Sequence, residues 1–239
     1  MTGSVTRIAM WSGPRNLSTA LMRSWENRAD TVVMDEPLYA TFLASTGLDH
    51  PAALDVIAAG PADDSSAIAA FLAPLPDGAS ISYQKHMAHH LLPHMDRTWL
   101  DEMRNCLLLR DPRRVLASYA KVRAEVNLED IGLPQQIELA GRCEVVIDSD
   151  DFLHDPSGYL AELCRRLDVP FDDAMLAWPP GTRDSDGIWA SHWYSAVIDS
   201  TGFGPPPEAP PGPLPPHLVS LAEEAMAIYE VLRVRSLIL

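Results

Sequence analysis

The sequence predicts an α/β fold: three layers, with a central, mostly parallel sheet of about five strands and helices on both faces. Three observations carry this. Short apolar runs of strand length alternate with stretches of helical periodicity. The run Asn105–Leu109 is near-continuously apolar, as a central parallel strand buried on both faces must be. Two of the strand-like runs end in turn signals that lead directly into helices. The 239 residues read as a single domain, with 38–78 as a helical insertion and 205–216 as a Pro-rich strap before a C-terminal helix.

In order, Val5, Ile8, Met10 and Trp11 mark a first strand. Ser12-Gly13-Pro14 is a turn, and Leu17, Ala20, Leu21, Ser24 and Trp25 follow at helical spacing. Such a turn gathers backbone N–H groups at the positive end of a helix, a natural seat for an anion. Arg15 adds a charge there, and Ser18 and Thr19 add hydroxyl donors. No G-x-x-x-x-G-K-[ST] pattern is present, so this is not a Walker A loop. A strand–turn–helix with a merely solvated Arg15 would read the same way, so partners downstream decide.

Thr31–Asp35 is a second strand, closed by Glu36-Pro37; proline stops ladder pairing and sets Glu36 at the strand end, towards the ligand crevice of an open sheet. The Ala-rich stretch 38–78 reads as two or three short helices. Ala79–Gln84 is a third strand, expected to deliver Lys85 and His86 from its end. His86, His89, His90 and His94 fall within nine residues, but neither an H-E-x-x-H pattern nor a carboxylate at ligand spacing accompanies them, and no metal is expected. Asn105–Leu109 ends in Arg110-Asp111-Pro112, and a helix over Pro112–Val126 places Ser118 near its second turn. Arg110 and Ser118 thus make a second anion site on a second strand–helix junction of the same sheet. Cys143–Ile147 is a fifth strand, Pro156–Leu167 a long amphipathic helix, and 179–204 a Gly-, Arg- and aromatic-rich functional loop. His217–Leu239 again has helical periodicity.

Composition bounds the partners. The formal net charge is −15, which argues against general nucleic-acid binding, and Lys85 and Lys121 are the only lysines. An acidic shell around a few arginines fits a small anionic ligand in a local pocket. Cys106, Cys143 and Cys164 lie in apolar runs without C-x-x-C spacing and read as buried thiols of a reducing compartment. Neither a signal-peptide core nor an apolar run of about 18 residues occurs, so a cytoplasmic protein without membrane contact is expected. The apolar Leu237-Ile238-Leu239 marks a docked tail or a homo-oligomer interface.

This order of elements resembles the PAPS-dependent sulfotransferases, P-loop proteins of bacterial type, nearly from end to end. Gly13-Pro14-Arg15-Asn16-Leu17-Ser18-Thr19 is similar to the family loop P-[KR]-S-G-T-T/S that binds the 5′-phosphosulfate. The run Arg110 to Tyr119 (RDPRRVLASY) resembles the 3′-phosphate motif R-[ND]-P-x-x-V-x-x-S-Y, the most specific signal in the chain. Val146–Pro156 resembles Y-E-D-L-x-x-D-P, and Thr182–Trp189 distantly resembles the R-K-G-x-x-G-x-W loop that folds over the nucleotide. The resemblance implies sulfuryl transfer from 3′-phosphoadenosine 5′-phosphosulfate (PAPS), without metal, to a hydroxyl or amine of a small molecule. Residues 13–19 would hold the phosphosulfate, and Arg110, Ser118 and Arg183 the 3′-phosphate. Glu36 is the first choice for general base, His86 its rival, and Lys85 a leaving-group cation, since cytosolic members carry K-T-H in this region. Residues 38–78 and the aromatics Trp189, Trp193 and Tyr194 would shape the acceptor pocket. Asn16-Leu17 stands where the family has Ser-Gly, and Asp184-Ser185 where it has Lys-Gly, so Arg183 alone carries positive charge there. The alternatives are a P-loop phosphotransferase, disfavoured by the missing Walker lysine, and a non-catalytic nucleotide-binding protein.

Overall fold

The computed structural model describes residues 5–61, 63–120 and 125–239. Strands β1 (Thr6–Ser12), β2 (Thr31–Asp35), β3 (Ile81–Met87), β4 (Arg104–Leu109) and β5 (Val145–Asp148) form one sheet in the order β2-β3-β1-β4-β5. Every neighbouring pair is parallel, so all strands end on one edge. The chain first builds β2 and β3 on one side of β1, then β4 and β5 on the other. The reversal at β1 opens a crevice between the ends of β1 and β4, where sheets of this kind bind ligands.

The helices are α1 (Ser18–Glu26), α2 (Tyr39–Thr46), α3 (Ala53–Ala59), α4 (Asp64–Leu72), α5 (Pro112–Tyr119), α6 (Leu133–Ala140), α7 (Ser149–His154), α8 (Pro156–Arg166), α9 (Ala190–Trp193), α10 (Ser195–Ile198) and α11 (Val219–Arg233). Side-chain alternation along the strands divides the interior into two cores. Trp11, Leu107, Leu109 and Val146 face one core, with Phe71 of α4, Leu116 of α5, Leu139 of α6 and Tyr229 of α11. Met10, Cys106, Leu108 and Ile147 face the other, with Leu21 and Trp25 of α1 and Leu160 and Leu163 of α8. This is the expected three-layer α/β architecture. A third, smaller cluster of Tyr39, Phe42, Val56, Trp189 and Tyr194 joins α2 and α3 to the loop 179–204, the late loop. Cys106, Cys143 and Cys164 are buried free thiols.

Three boundaries differ in ways that matter to the site. Strand β3 begins and ends later than Ala79–Gln84, because its ladder partners continue: Asp35 pairs with Lys85 and Ser12 with Met87. Lys85 and His86 therefore lie inside a strand. Strand β5 starts at Val145 and reaches Asp148, whose carboxylate caps α7 through the backbone N–H groups of Asp150 and Asp151. Helix α5 spans Pro112–Tyr119, and residues 121–124 of the expected helix lie outside the described residues. The sequence reading also passed over α6, which follows Gly132 at φ 72° and has Pro at its first turn.

The strap 205–216 has no strand or α-helix and runs into a 3-10 turn at Pro216–Leu218; Arg114 holds it by donating to the Ala209 carbonyl at 2.6 Å. After α11 the tail docks on the sheet edge: Leu237 N–H donates to Val146 O at 2.8 Å and its side chain is buried, while Ile238 is 84% exposed. No helix among the described residues is long and apolar enough to cross a membrane.

Candidate active site

The cleft is assembled at the strand ends. Gly13 is required there for space: a Cβ would stand 2.6 Å from the Ile131 carbonyl oxygen. Arg15 then takes a left-handed backbone (φ 55°), and Glu36, after β2, does the same (φ 44°). For non-glycine residues this conformation costs roughly 1–2 kcal/mol, and such strain concentrates at functional sites. Asn16 pins the loop: its Nδ2 donates to Leu108 O at 2.9 Å, and its Oδ1 accepts from Leu17 N–H at 2.7 Å. Leu17 turns its side chain into the α1–α8 core, not into the cleft. Helix α1 has no side-chain N-cap, so its first-turn N–H groups are left for an anion beside Ser18 and Thr19.

The two strand–helix junctions meet. Arg15 Nε donates to Ser118 Oγ at 2.8 Å, and Arg110 Nη1 donates to the Arg15 carbonyl. Arg15 is exposed and Arg110 half-buried. Burial lowers the pKa of Arg110, as do the charges of Arg114 and Arg15, with Asp150 opposing. A cavity of about 150 Å³ at the strand ends is lined by Pro14, Arg15, Asn16, Ser18 and Thr19 on one side and by Glu36, Lys85, His90 and Tyr194 on the other. Arg110 and Gly13 border an adjoining recess that shares Pro14 and Asn16 with it.

The β2–β3 side is a buried ion network. Lys85 Nζ donates to Asp35 Oδ1 at 2.9 Å, to Glu36 Oε1 at 2.5 Å and to the Tyr194 hydroxyl at 2.7 Å. All three ammonium N–H groups are thereby committed. Asp35 also takes the Tyr194 O–H, 2.7 Å from its Oδ2, and Gly187 N–H at 3.2 Å, while Trp189 Nε1–H donates to the Tyr194 oxygen at 3.1 Å. Burial opposes the Lys85 charge, but Asp35 and Glu36 outweigh it and hold the ammonium well above its usual range. Burial raises the Glu36 pKa, with Lys85 opposing and Asp35 adding to the rise. Lys85 is thus a clamp on Glu36, and in this arrangement it has no N–H left for a leaving group.

Two residues expected at the cleft stand elsewhere. His86 sits on the opposite face of β3, stacked on Trp11 at 4.4 Å and packed against Phe71 and Trp99, with Nε2 3.1 Å from Gln84 Oε1. Burial first, then the Lys85 charge, lowers its pKa to about 3, and it does not line the cavity. Strand alternation is the reason, since Lys85 and His86 are neighbours inside β3 and must face opposite ways. Arg183 lies beside Glu26 at the far end of α1, Nε to Oε2 3.7 Å, and donates to Pro179 O at 2.7 Å. The late loop is anchored there by buried Arg23, whose Nη2 donates to Asp186 Oδ2 at 2.7 Å. Ser185 Oγ donates to Glu26 Oε1 of α1 at 2.5 Å, and the loop lines the cavity with Trp193 and Tyr194.

The sequence reading gave no site role to Asp35 or His90. Asp35 needed the β2–β3 register to be seen beside Lys85, and His90 needed the 3-10 turn Ala88–His90 that carries it back over the cleft. His94 is exposed and paired with Asp64 at 3.0 Å. Among the described residues no group of three or more His, Cys, Asp or Glu could hold a metal ion.

A family profile described as "Sulfotransferase domain" matches residues 6–236. Branched-chain-amino-acid aminotransferase-like proteins 2 and 1 of Arabidopsis thaliana are 32% and 34% identical over 232 residues. Each alignment covers 95% of this chain and 41% of the relative, so the chain spans about two fifths of the length of these relatives. Among solved structures, the sulfotransferase domain from the curacin biosynthetic pathway aligns with a TM-score of 0.52 at 18% identity, over 94% of this chain and 99% of that one. A sulfotransferase from Alicyclobacillus acidocaldarius aligns with a TM-score of 0.51 at 13% identity, over 98% of each chain. At those identities the two structures speak for the fold.

Proposed function

The chain belongs to the sulfotransferase-domain family, and from that premise we propose that it transfers a sulfuryl group from PAPS to a hydroxyl or amine of a small molecule, in the cytoplasm and without a metal. The observation that carries the donor assignment is the meeting of the two anion sites, Arg15 on Ser118 and Arg110 on the Arg15 carbonyl, at the crevice beside β1. One ligand with a phosphate at each end suits that pair. The uncapped first turn of α1, with Arg15, Ser18 and Thr19, would hold the 5′-phosphosulfate, and Arg110 and Ser118 the 3′-phosphate.

Sulfuryl transfer, like phosphoryl transfer, passes through a loose transition state, so positioning and charge do most of the catalysis. Arg15 and the helix N–H groups neutralise the charge that grows on the leaving phosphate. Glu36 faces the same cavity from the other side and receives the acceptor proton, its raised pKa matched to that task. Tyr39, Trp193 and Tyr194 line the same cavity and would contact the acceptor. A phosphotransferase fits less well, because Lys85 is consumed by Asp35, Glu36 and Tyr194 and stands on the acceptor side.

Thermal shift separates the readings. Adenosine 3′,5′-bisphosphate should raise the melting temperature equally with and without Mg²⁺, and ATP should not. Stabilisation by ATP with Mg²⁺ alone would mark a phosphotransferase, and no response to either would remove the nucleotide reading.

A further inference from the structure

Two polar groups of the cavity wall face each other without a bond between them. His90 Nδ1 is buried without a partner, and it lies 4.0 Å from Glu36 Oε2, too far for a bond. The other carboxylate oxygen, Oε1, is already taken by Lys85 at 2.5 Å. Both residues line the cavity that also contains Arg15, Ser18 and Thr19. The imidazole is not free to swing away: its ring stacks on Tyr39 at 4.8 Å and 5° between planes, and Phe42 packs against it at 4.6 Å. A buried, fixed nitrogen without a partner is costly unless something bonds to it, and a group bonded to it would stand beside Glu36 Oε2.

We propose that His90 is a further catalytic residue, and that its Nδ1–H and Glu36 Oε2 together hold the oxygen of the acceptor, which is therefore an alcohol or phenol and not an amine. This rests on the sulfuryl-transfer reading above. An oxygen about 2.8 Å from each atom spans the gap with ordinary hydrogen bonds. The hydroxyl gives its proton to Glu36 and accepts from His90 with one lone pair, leaving the second aimed at sulfur. As the new S–O bond forms, the bond between sulfur and the phosphate oxygen breaks and its electron pair leaves on adenosine 3′,5′-bisphosphate. The acceptor proton ends on Glu36. A neutral amine has a single lone pair. If that pair attacks sulfur, nothing remains to satisfy His90, and a protonated amine has none at all. Burial first, then the charges of the neighbouring imidazoles and Lys85, pushes the His90 pKa well below its usual value, which keeps the ring neutral as this role requires.

The test uses the full chain and reads donor and acceptor functions separately. Transfer from ³⁵S-labelled PAPS is measured to ethanol and ethylamine, and to phenol and aniline, while calorimetry follows adenosine 3′,5′-bisphosphate binding. Label should enter the hydroxyl probes and not the amines. His90→Phe keeps the stacking ring but has no N–H, and His90→Asn restores a donor near the Nδ1 position. The first should slow transfer roughly 10²-fold and the second recover about tenfold of that, with bisphosphate affinity within about twofold in both. Wild-type transfer in His90→Phe, amines labelled as fast as hydroxyls, or lost bisphosphate affinity in His90→Phe overturns the proposal. If no probe is labelled, ¹⁵N-histidine spectra of the bisphosphate complex decide: a His90 Nδ1 resonance that moves with ethanol or phenol supports it, and one that does not overturns it. A wild-type chain that binds no bisphosphate sinks the donor reading and this proposal together, whereas intact binding with an indifferent His90 sinks this proposal alone.

Discussion

The β1–β4 side of the cleft carries its charge near solvent, whereas the β2–β3 side buries it. Arg15 is exposed and Arg110 half-buried, and neither has a carboxylate within ion-pair distance among the described contacts. Asp35, Glu36 and Lys85 instead satisfy one another, with Lys85 1% exposed. Cations left near water keep their capacity to bind an incoming anion. Charges paired in a dry interior fix geometry, here the position of the Glu36 carboxylate at the cavity wall. The same kind of residue is thus left open to an incoming ligand on one side and builds structure on the other.

Removing a cation from each side should expose this difference most sharply. Lys85→Met leaves two buried carboxylates without their counter-charge and should destabilise the fold by about 3–5 kcal/mol, read by denaturant unfolding. Arg15→Ala should change stability by no more than about 0.5 kcal/mol while weakening bisphosphate binding. Equal destabilisation by both would erase the contrast.

Next in size is Glu36→Gln, which should slow transfer by roughly 10²-fold or more with bisphosphate affinity unchanged. A base works only when ionised. Because burial raises the Glu36 pKa, activity should fall on acidification at a pH above the ordinary carboxylate range, and that limb should vanish in Glu36→Gln. His86, held near 3, should add no titration around neutrality. Arg110→Ala should weaken adenosine 3′,5′-bisphosphate binding by about 1–3 kcal/mol, with thermal stability of the free chain little changed. Tyr194→Phe is the mildest: it removes one hydroxyl shared by Lys85 and Asp35 and should cost about 1 kcal/mol of stability, with bisphosphate affinity untouched.

The two sides were not equally legible in the sequence. Ser12 to Thr19 and Arg110 to Ser118 are short, contiguous strand–turn–helix segments, so their residue order already encodes the geometry. The structure also unites them, which a likeness of motifs alone does not require. The β2–β3 side is distributed. Glu36 was visible at a strand end before proline, and Tyr194 as one of several aromatics in a loop, but their meeting at Lys85 depends on the Asp35–Lys85 register and on Arg23 holding the late loop down. Ladder pairing extended β3 through Met87, and that extension alone sent His86 into the aromatic core and left Lys85 in the cleft. Arg183 shows the converse: its motif likeness is local, while its guanidinium is placed by Glu26 and Pro179, partners the likeness does not specify.

The central claim is that two separate strand–helix junctions grip opposite ends of one bisphosphate. A crystal structure of the full chain with adenosine 3′,5′-bisphosphate tests it most directly. The 5′-phosphate should lie on the first turn of α1 with Arg15, Ser18 and Thr19, and the 3′-phosphate on Arg110 and Ser118. A nucleotide bound on another face, or held by the Arg15 loop with Arg110 and Ser118 untouched, would contradict it.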